Sequence, residues 1–209
     1  MKNEFLNELL SRYPILNPCM SDIESCCDML VETVKSNGKI LLCGNGGSAS
    51  DCEHISGELL KGFLKERPLC EQDLNKFNII PDGQTLGRTL QYGIPAIPLT
   101  SFSSVFTAFC NDVDPDAVFA QLVLALGKPG DCLICISTSG NAKNVYNSAV
   151  TAKAFGVKVI GLTGKNGGIL ADLCDICIKV PETETFKAQE LHLPIYHCIC
   201  AVLEDKICK

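Results

Sequence analysis

The sequence predicts an α/β protein in which a parallel β-sheet is covered on both faces by helices. Short apolar runs near 39–43, 94–100, 131–136, 157–162 and 175–180 alternate with stretches of helical periodicity. Alternation of this kind builds parallel sheets, whose doubly buried strands read as continuous apolar runs. Two of the runs pass directly into turns of glycine and small hydroxylated residues. The first is Ile40-Leu41-Leu42-Cys43 entering Gly44-Asn45-Gly46-Gly47-Ser48-Ala49-Ser50-Asp51; the second is Cys132 to Ile136 entering Ser137-Thr138-Ser139-Gly140-Asn141. The length of 209 residues and an apolar fraction of 46% suit one domain with a substantial core.

Residues 2–13 and 19–36 read as helices separated by Pro14 and Pro18, with Phe5, Leu6, Leu9, Leu10 and then Ile23, Cys27, Leu30, Val34 at helical spacing. Asn37-Gly38 ends the second. A helix opens near Ser48 and runs to about Lys65. Residues 67–93, with Pro68, Pro81 and scattered charges, read as a long loop or excursion. Pro95 and Pro98 favour an edge position or a short length for the second strand. A helical stretch follows it, broken around 111–116, and another covers 117–126. Further helices are expected at about 140–154, 167–173 and 185–207. Pro194 is expected to kink the last or free a carbonyl in it.

A net charge of −6 argues against broad electrostatic binding of nucleic acid. No run of 18 apolar residues predicts a membrane span. The first residues carry an acid early and no apolar signal core, which predicts a cytoplasmic protein. Fourteen cysteines include two C-x-x-C pairs, Cys132/Cys135 and Cys174/Cys177. Both pairs lie in apolar runs, where positions i and i+3 face opposite sides of a sheet, so buried reduced thiols are expected rather than a zinc knuckle or a disulfide framework.

The two glycine turns suit a phosphate: glycine permits close backbone approach, helix N-terminal N–H groups point at the anion, and hydroxyls complete its shell. Beyond the first turn, His54 and Glu58 stand four apart on one helical face, a workable pair of metal ligands or a solvated surface pair. On the last helix Gln189 and His197 differ by about 80° and can share a face. His192 or His197 taken alone reads as a hydrogen-bonded core residue. The loose fingerprint Gly44-x-Gly46-x-x-Ala49 also fits a dinucleotide site, but the acid expected about 20 residues on is missing, since position 64 is leucine.

Taken in order, Gly44 to Asp51, His54, Glu58, Ser137 to Asn141, Gln189-Glu190 and His197 resemble the sugar isomerase (SIS) domain family, and within it the bacterial phosphoheptose isomerases, which act on sedoheptulose 7-phosphate. The resemblance covers nearly the whole chain except about 67–93. It implies one SIS domain over 1–209: a flavodoxin-like three-layer sandwich with a five-stranded parallel sheet, N-terminal helices over 1–37, and an insertion at 67–93. It implies a homotetramer with active sites between subunits and a phosphorylated sugar as ligand. It implies zinc held by His54, Glu58, Gln189 and His197. It places the phosphate shell at Ser48, Ser137, Thr138 and Ser139, with Gly46 and Gly47 in the first turn and Asn45, Asn111 and Asp112 at substrate-contacting positions. Asn111 and Asp112 also suit a plain helix-ending turn.

Two positions depart from the family pattern: Ala142 replaces a serine in the second turn, and Lys187 replaces an arginine, keeping charge without the planar fork. The reaction implied is aldose–ketose isomerisation through an enediol, with Glu58 as base and His197 as acid. Zinc would polarise the oxygens, although a residue bound to zinc is a poorer base. The alternative is a non-catalytic phosphosugar-binding regulatory or protein-binding SIS protein, disfavoured by the four ligand-type residues.

Overall fold

The computed structural model describes residues 3–208. A five-stranded, wholly parallel sheet has the order β2-β1-β3-β4-β5, with β1 Ile40–Gly44, β2 Ala96–Pro98, β3 Cys132–Ser137, β4 Lys158–Thr163 and β5 Ile176–Lys179. The alternation along each strand sorts its residues between two cores. Ile40, Leu42, Cys132, Ile134 and Ile136 face a layer made by α1 (Glu4–Arg12), α2 (Met20–Lys35), α3 (Gly47–Leu60) and α9 (Thr185–Ile207). Leu41, Cys43, Leu133 and Cys135 face α7 (Val118–Leu126) and α8 (Lys143–Ala154). The result is the expected three-layer α/β sandwich. Among the described residues no helix is long and apolar enough to cross a membrane.

Where expectation and structure differ, the reasons are local. Residues 67–93 are not a plain loop: α4 (Glu71–Phe77) and α5 (Gly83–Thr89) lie in it, and Gly87 packs against Phe77 and Leu74. The helix expected near 167–173 is absent, because Gly167 and Gly168 both take positive φ and the segment closes into turns. Helix α3 stops at Leu60 rather than Lys65, since the N–H groups of Phe63, Leu64 and Lys65 donate to the Glu204 carboxylate instead of to helix carbonyls. A 3-10 turn over Pro14–Cys19 precedes α2. Between β2 and α7 the expected helical stretch is α6 (Ser103–Asp112). Strand β2 is both short and at the sheet edge, as its prolines favour, with three residues in place of the seven expected, Pro95 preceding it and Pro98 ending it. Helix α9 runs on through Pro194. Residue 2, included in the first expected helix, lies outside the described residues.

All fourteen cysteines are free thiols. Cys132 and Cys135 do face opposite cores. The second pair does not follow that rule, because Cys174 precedes β5 instead of lying in it. A Cβ on Gly161 would sit 2.7 Å from the Cys174 sulfur and 3.2 Å from that of Cys177, so both thiols share the space that this glycine leaves. The contact with Cys174, more than the opposing burial, lowers the Cys177 thiol to about 7.

Ala142 is the N-cap of α8 and makes no side-chain cap. Ala142→Ser, which restores the hydroxyl of the family pattern, is expected to stabilise the protein by about 1 kcal/mol. In a chain of this size that raises the thermal midpoint by about 2–4 °C; an unchanged midpoint would show that the bond from the Val145 N–H to Asn144 Oδ1, 2.9 Å, already saturates this end.

Candidate active site

The strand order reverses at β1, so the carboxyl ends of β1 and β3 open into the crevice where doubly wound sheets hold ligands. Gly44 and Ile136 are register partners, which sets the two glycine turns side by side. In the first turn Gly46, at φ +55°, precedes α3, and Ser48 is buried in the opening turn of that helix. In the second, Ser137 is buried, Thr138 half-buried and Ser139 exposed. Gly140, at φ +66°, touches Gly167; a Cβ there would lie 1.8 Å from the Gly167 carbonyl oxygen, so only glycine fits. Asn45 and Asn144 close the crevice with a reciprocal amide pair, 2.8 and 3.0 Å. Sequence reasoning singled out Asn45 but missed Asn144, which stands beyond the serine turn without a motif of its own.

Helices α3 and α9 run side by side in the same direction, and this pairing carries the far C-terminal residues to the first turn. At one end the Gln189 amide lies over Gly47, where a Cβ would be 2.6 Å from its Nε2. Two turns along, His54 Nδ1 is 3.0 Å from the Tyr196 hydroxyl, which donates to Asp51 Oδ1 at 3.2 Å. His54 Nε2 is 3.3 Å from Glu58 Oε1 and 3.4 Å from His197 Nε2. At the far end Glu204 receives the loop after α3, together with the Arg67 guanidinium. Arg67 also donates to the Leu59 and Glu58 carbonyls. Tyr196, Arg67 and Glu204 carried no sequence signal, and Asp51 entered only as the last residue of the first glycine turn motif, with no role of its own; their roles exist only once the two helices are paired.

Electrostatics follows the packing. Burial, then the neighbouring His54, lowers the His197 pKa. Burial, then Asp51, pushes the Tyr196 phenol up, so it stays a hydroxyl donor. Asp51 is raised by burial, against the pull of Tyr196 and His54. Lys61 Nζ approaches Glu58 at 3.2 Å.

Of the residues singled out from sequence, His54, Glu58 and His197 meet at the His54 ring, and Gln189 lies two helical turns away beside the first glycine turn. Asn111 and Asp112 close α6, both exposed, with Asn111 donating to Asp112 at 2.8 Å. Among the described residues no set of three or more His, Cys, Asp or Glu side chains is closed around one point. The donor types nevertheless fit a cation: His54 Nε2 lies 3.3 Å from a Glu58 oxygen and 3.4 Å from His197 Nε2, and each of these two separations matches the roughly 3.4 Å ligand–ligand edge of a tetrahedral site with bonds of about 2.0–2.2 Å.

His192 is fully buried, and neither ring nitrogen has a hydrogen-bond partner among the described residues. The expected core position is right; the expected hydrogen bond is missing. Burial lowers its pKa to about 4, opposed by the nearby Thr163 backbone. The folded state therefore keeps this imidazole neutral while the unfolded chain protonates near 6.5. Stability is full above that pH and falls as pH drops toward about 4, with a loss of about 2 kcal/mol between pH 7 and pH 5. Urea unfolding of wild type and His192→Asn at the two pH values checks this; an equal pH slope in both proteins would refute it.

The SIS domain family matches residues 6–94 and 103–199. A phosphoheptose isomerase of Rhodospirillum rubrum is 37% identical over 92% of the chain and 90% of its own length. One from Aliarcobacter butzleri is 37% identical over 99% of both. The solved phosphoheptose isomerase from Francisella tularensis superposes with a TM-score of 0.77 at 29% identity, covering 94% of this chain and 92% of that one. The serine turns at the switch point, the paired helices behind them and likeness over almost the full length agree: the chain belongs to the phosphoheptose isomerase family of SIS-domain proteins.

Proposed function

We propose that this chain isomerises sedoheptulose 7-phosphate to an aldoheptose 7-phosphate through an enediol. The observation that carries the reading is the meeting of His54, Glu58 and His197 at 3.3–3.4 Å on the helix that leaves the glycine turn. The phosphate sits at the α3 N-terminus between Ser48 and the Ser137–Ser139 turn, held by backbone N–H groups and hydroxyls. Holding this remote end orients the reacting carbons, so that binding energy is spent on positioning. Glu58 removes the proton beside the carbonyl to give the enediol, and His197, as acid, returns a proton at the neighbouring carbon while the hydroxyl proton passes to the former carbonyl oxygen, which leaves the aldehyde.

The chain's own donors favour a cation at this point. With the Tyr196 hydroxyl committed to Asp51, its oxygen accepts from His54 Nδ1–H, and His54 Nε2 presents a lone pair to the Glu58 carboxylate. Two lone-pair donors 3.3 Å apart repel unless a proton or metal ion lies between them. His54, Glu58, Gln189 and His197 would hold zinc, and because a metal-bound carboxylate is a poorer base, ligation by Glu58 and proton transfer would alternate. When bound, the ion supplies Lewis acidity to the substrate oxygens.

A homotetramer with shared sites is part of this proposal. Its support is unspent apolar surface: Val105 and Val113 by α6, Ile79 and Ile80 between α4 and α5, and the groove of about 340 Å³ between α1 and α9 beside His197. Such contacts would also bring a neighbour's residues to the site. The test offers a panel of ketose phosphates to zinc-replete protein and identifies products by NMR. Sedoheptulose 7-phosphate is the substrate expected to turn over; binding without conversion of any ketose would favour a regulatory SIS protein.

A further inference from the structure

We infer that Tyr196, backed by Asp51, is a positioning residue that fixes the His54 tautomer and so prepares Nε2 as a metal ligand; this rests on the zinc reading above. The Asp51 carboxylate oxygen can only accept, so the Tyr196 hydroxyl spends its one proton there, at 3.2 Å. The tyrosine oxygen then has only lone pairs for His54 Nδ1, 3.0 Å away. Nδ1 must therefore carry a proton, and in the neutral ring Nε2 presents its lone pair toward Glu58 and His197. The ring is held mechanically as well: Tyr196 is 2% exposed, and its ring packs edge-on to that of His54 at 5.4 Å between centroids. Carboxylates commonly orient metal-binding histidines through the second ring nitrogen, and here a phenol is interposed.

Two variants separate this role from simple packing. Tyr196→Phe keeps the ring and removes the relay. Asp51→Asn keeps the volume but can donate its amide to the tyrosine oxygen, turning the hydroxyl toward Nδ1 and moving the imidazole proton to Nε2. In competition with a chromophoric chelator at fixed pH, both variants of the full chain are expected to bind Zn²⁺ about 10–100-fold more weakly than wild type, with unchanged circular dichroism. Long-range ¹H–¹⁵N spectra of the metal-free wild type at pH 8 should show His54 protonated on Nδ1, and Asp51→Asn should show it on Nε2. Wild type binding zinc with Tyr196→Phe within twofold of it would overturn the relay and leave the metal reading standing. Wild type failing to bind zinc would overturn both, and an Nε2–H tautomer in the wild type would overturn the relay directly.

Discussion

Glu58→Gln is expected to lower kcat/KM for the heptose phosphate by about 10³–10⁴-fold, or roughly 4–5.5 kcal/mol of transition-state stabilisation. The amide is nearly isosteric but has no basic oxygen for the substrate proton, and it is a weaker cation ligand than carboxylate. The loss should fall on kcat rather than KM, because the groups proposed to grip the phosphate belong to the two serine turns and not to the cluster around His54. The surroundings of Glu58 suit a base. Its side chain is only 19% exposed, with His54 on one oxygen and Lys61 on the other. Metal content measured beside activity separates its two roles. A variant that keeps zinc but not turnover has lost the base; one that loses both has lost the ligand; retained activity would remove Glu58 from the mechanism.

The sheet and both glycine turns were legible because their physics is local. Apolar runs of strand length, punctuated by Gly46-Gly47 and Ser139-Gly140, need no tertiary information to read. His54 and Glu58 were legible for the same reason, since one helix turn separates them. Gln189 was placed by helical angle and by resemblance, and the structure sets it against Gly47 instead of against His54. What stayed hidden depends on the pairing of distant elements, α3 with α9 above all. Asp51, Tyr196 and Asn144 are ordinary polar residues in sequence, and they become a relay and a clasp only across contacts spanning 99 to 145 residues. The helices in 67–93 were hidden for a different reason: α4 contributes no buried residue, so its pattern has no apolar face to read. Gly167 and Gly168 are the opposite case, a visible turn signal that outweighs the helical spacing around it.

Glu204→Gln is expected to destabilise the fold by about 3–5 kcal/mol, because it leaves the Arg67 charge buried without its partner. Both side chains are 1% exposed. The carboxylate accepts from the N–H groups of Phe63, Leu64 and Lys65 at 2.8, 2.7 and 3.0 Å and from Arg67 at 2.8 and 2.9 Å. Burial alone would raise the Glu204 pKa, but these donors and the guanidinium overcome it and hold the carboxyl below its ordinary value. Its contribution is therefore present at neutral pH and lost as pH falls through the carboxylate range. A thermal midpoint lowered by on the order of 10 °C is the expected reading. Replacing the ion pair with apolar residues often restores stability, yet Arg67→Met with Glu204→Leu should remain destabilised by about 3 kcal/mol or more, since three backbone N–H groups then lose their acceptor. A double variant as stable as wild type would reduce Glu204 to a charge partner. Persistent destabilisation would identify it as the terminus on which the loop after α3 closes, and isomerase activity should fall with it, because Arg67 donates to the carbonyl of Glu58 itself.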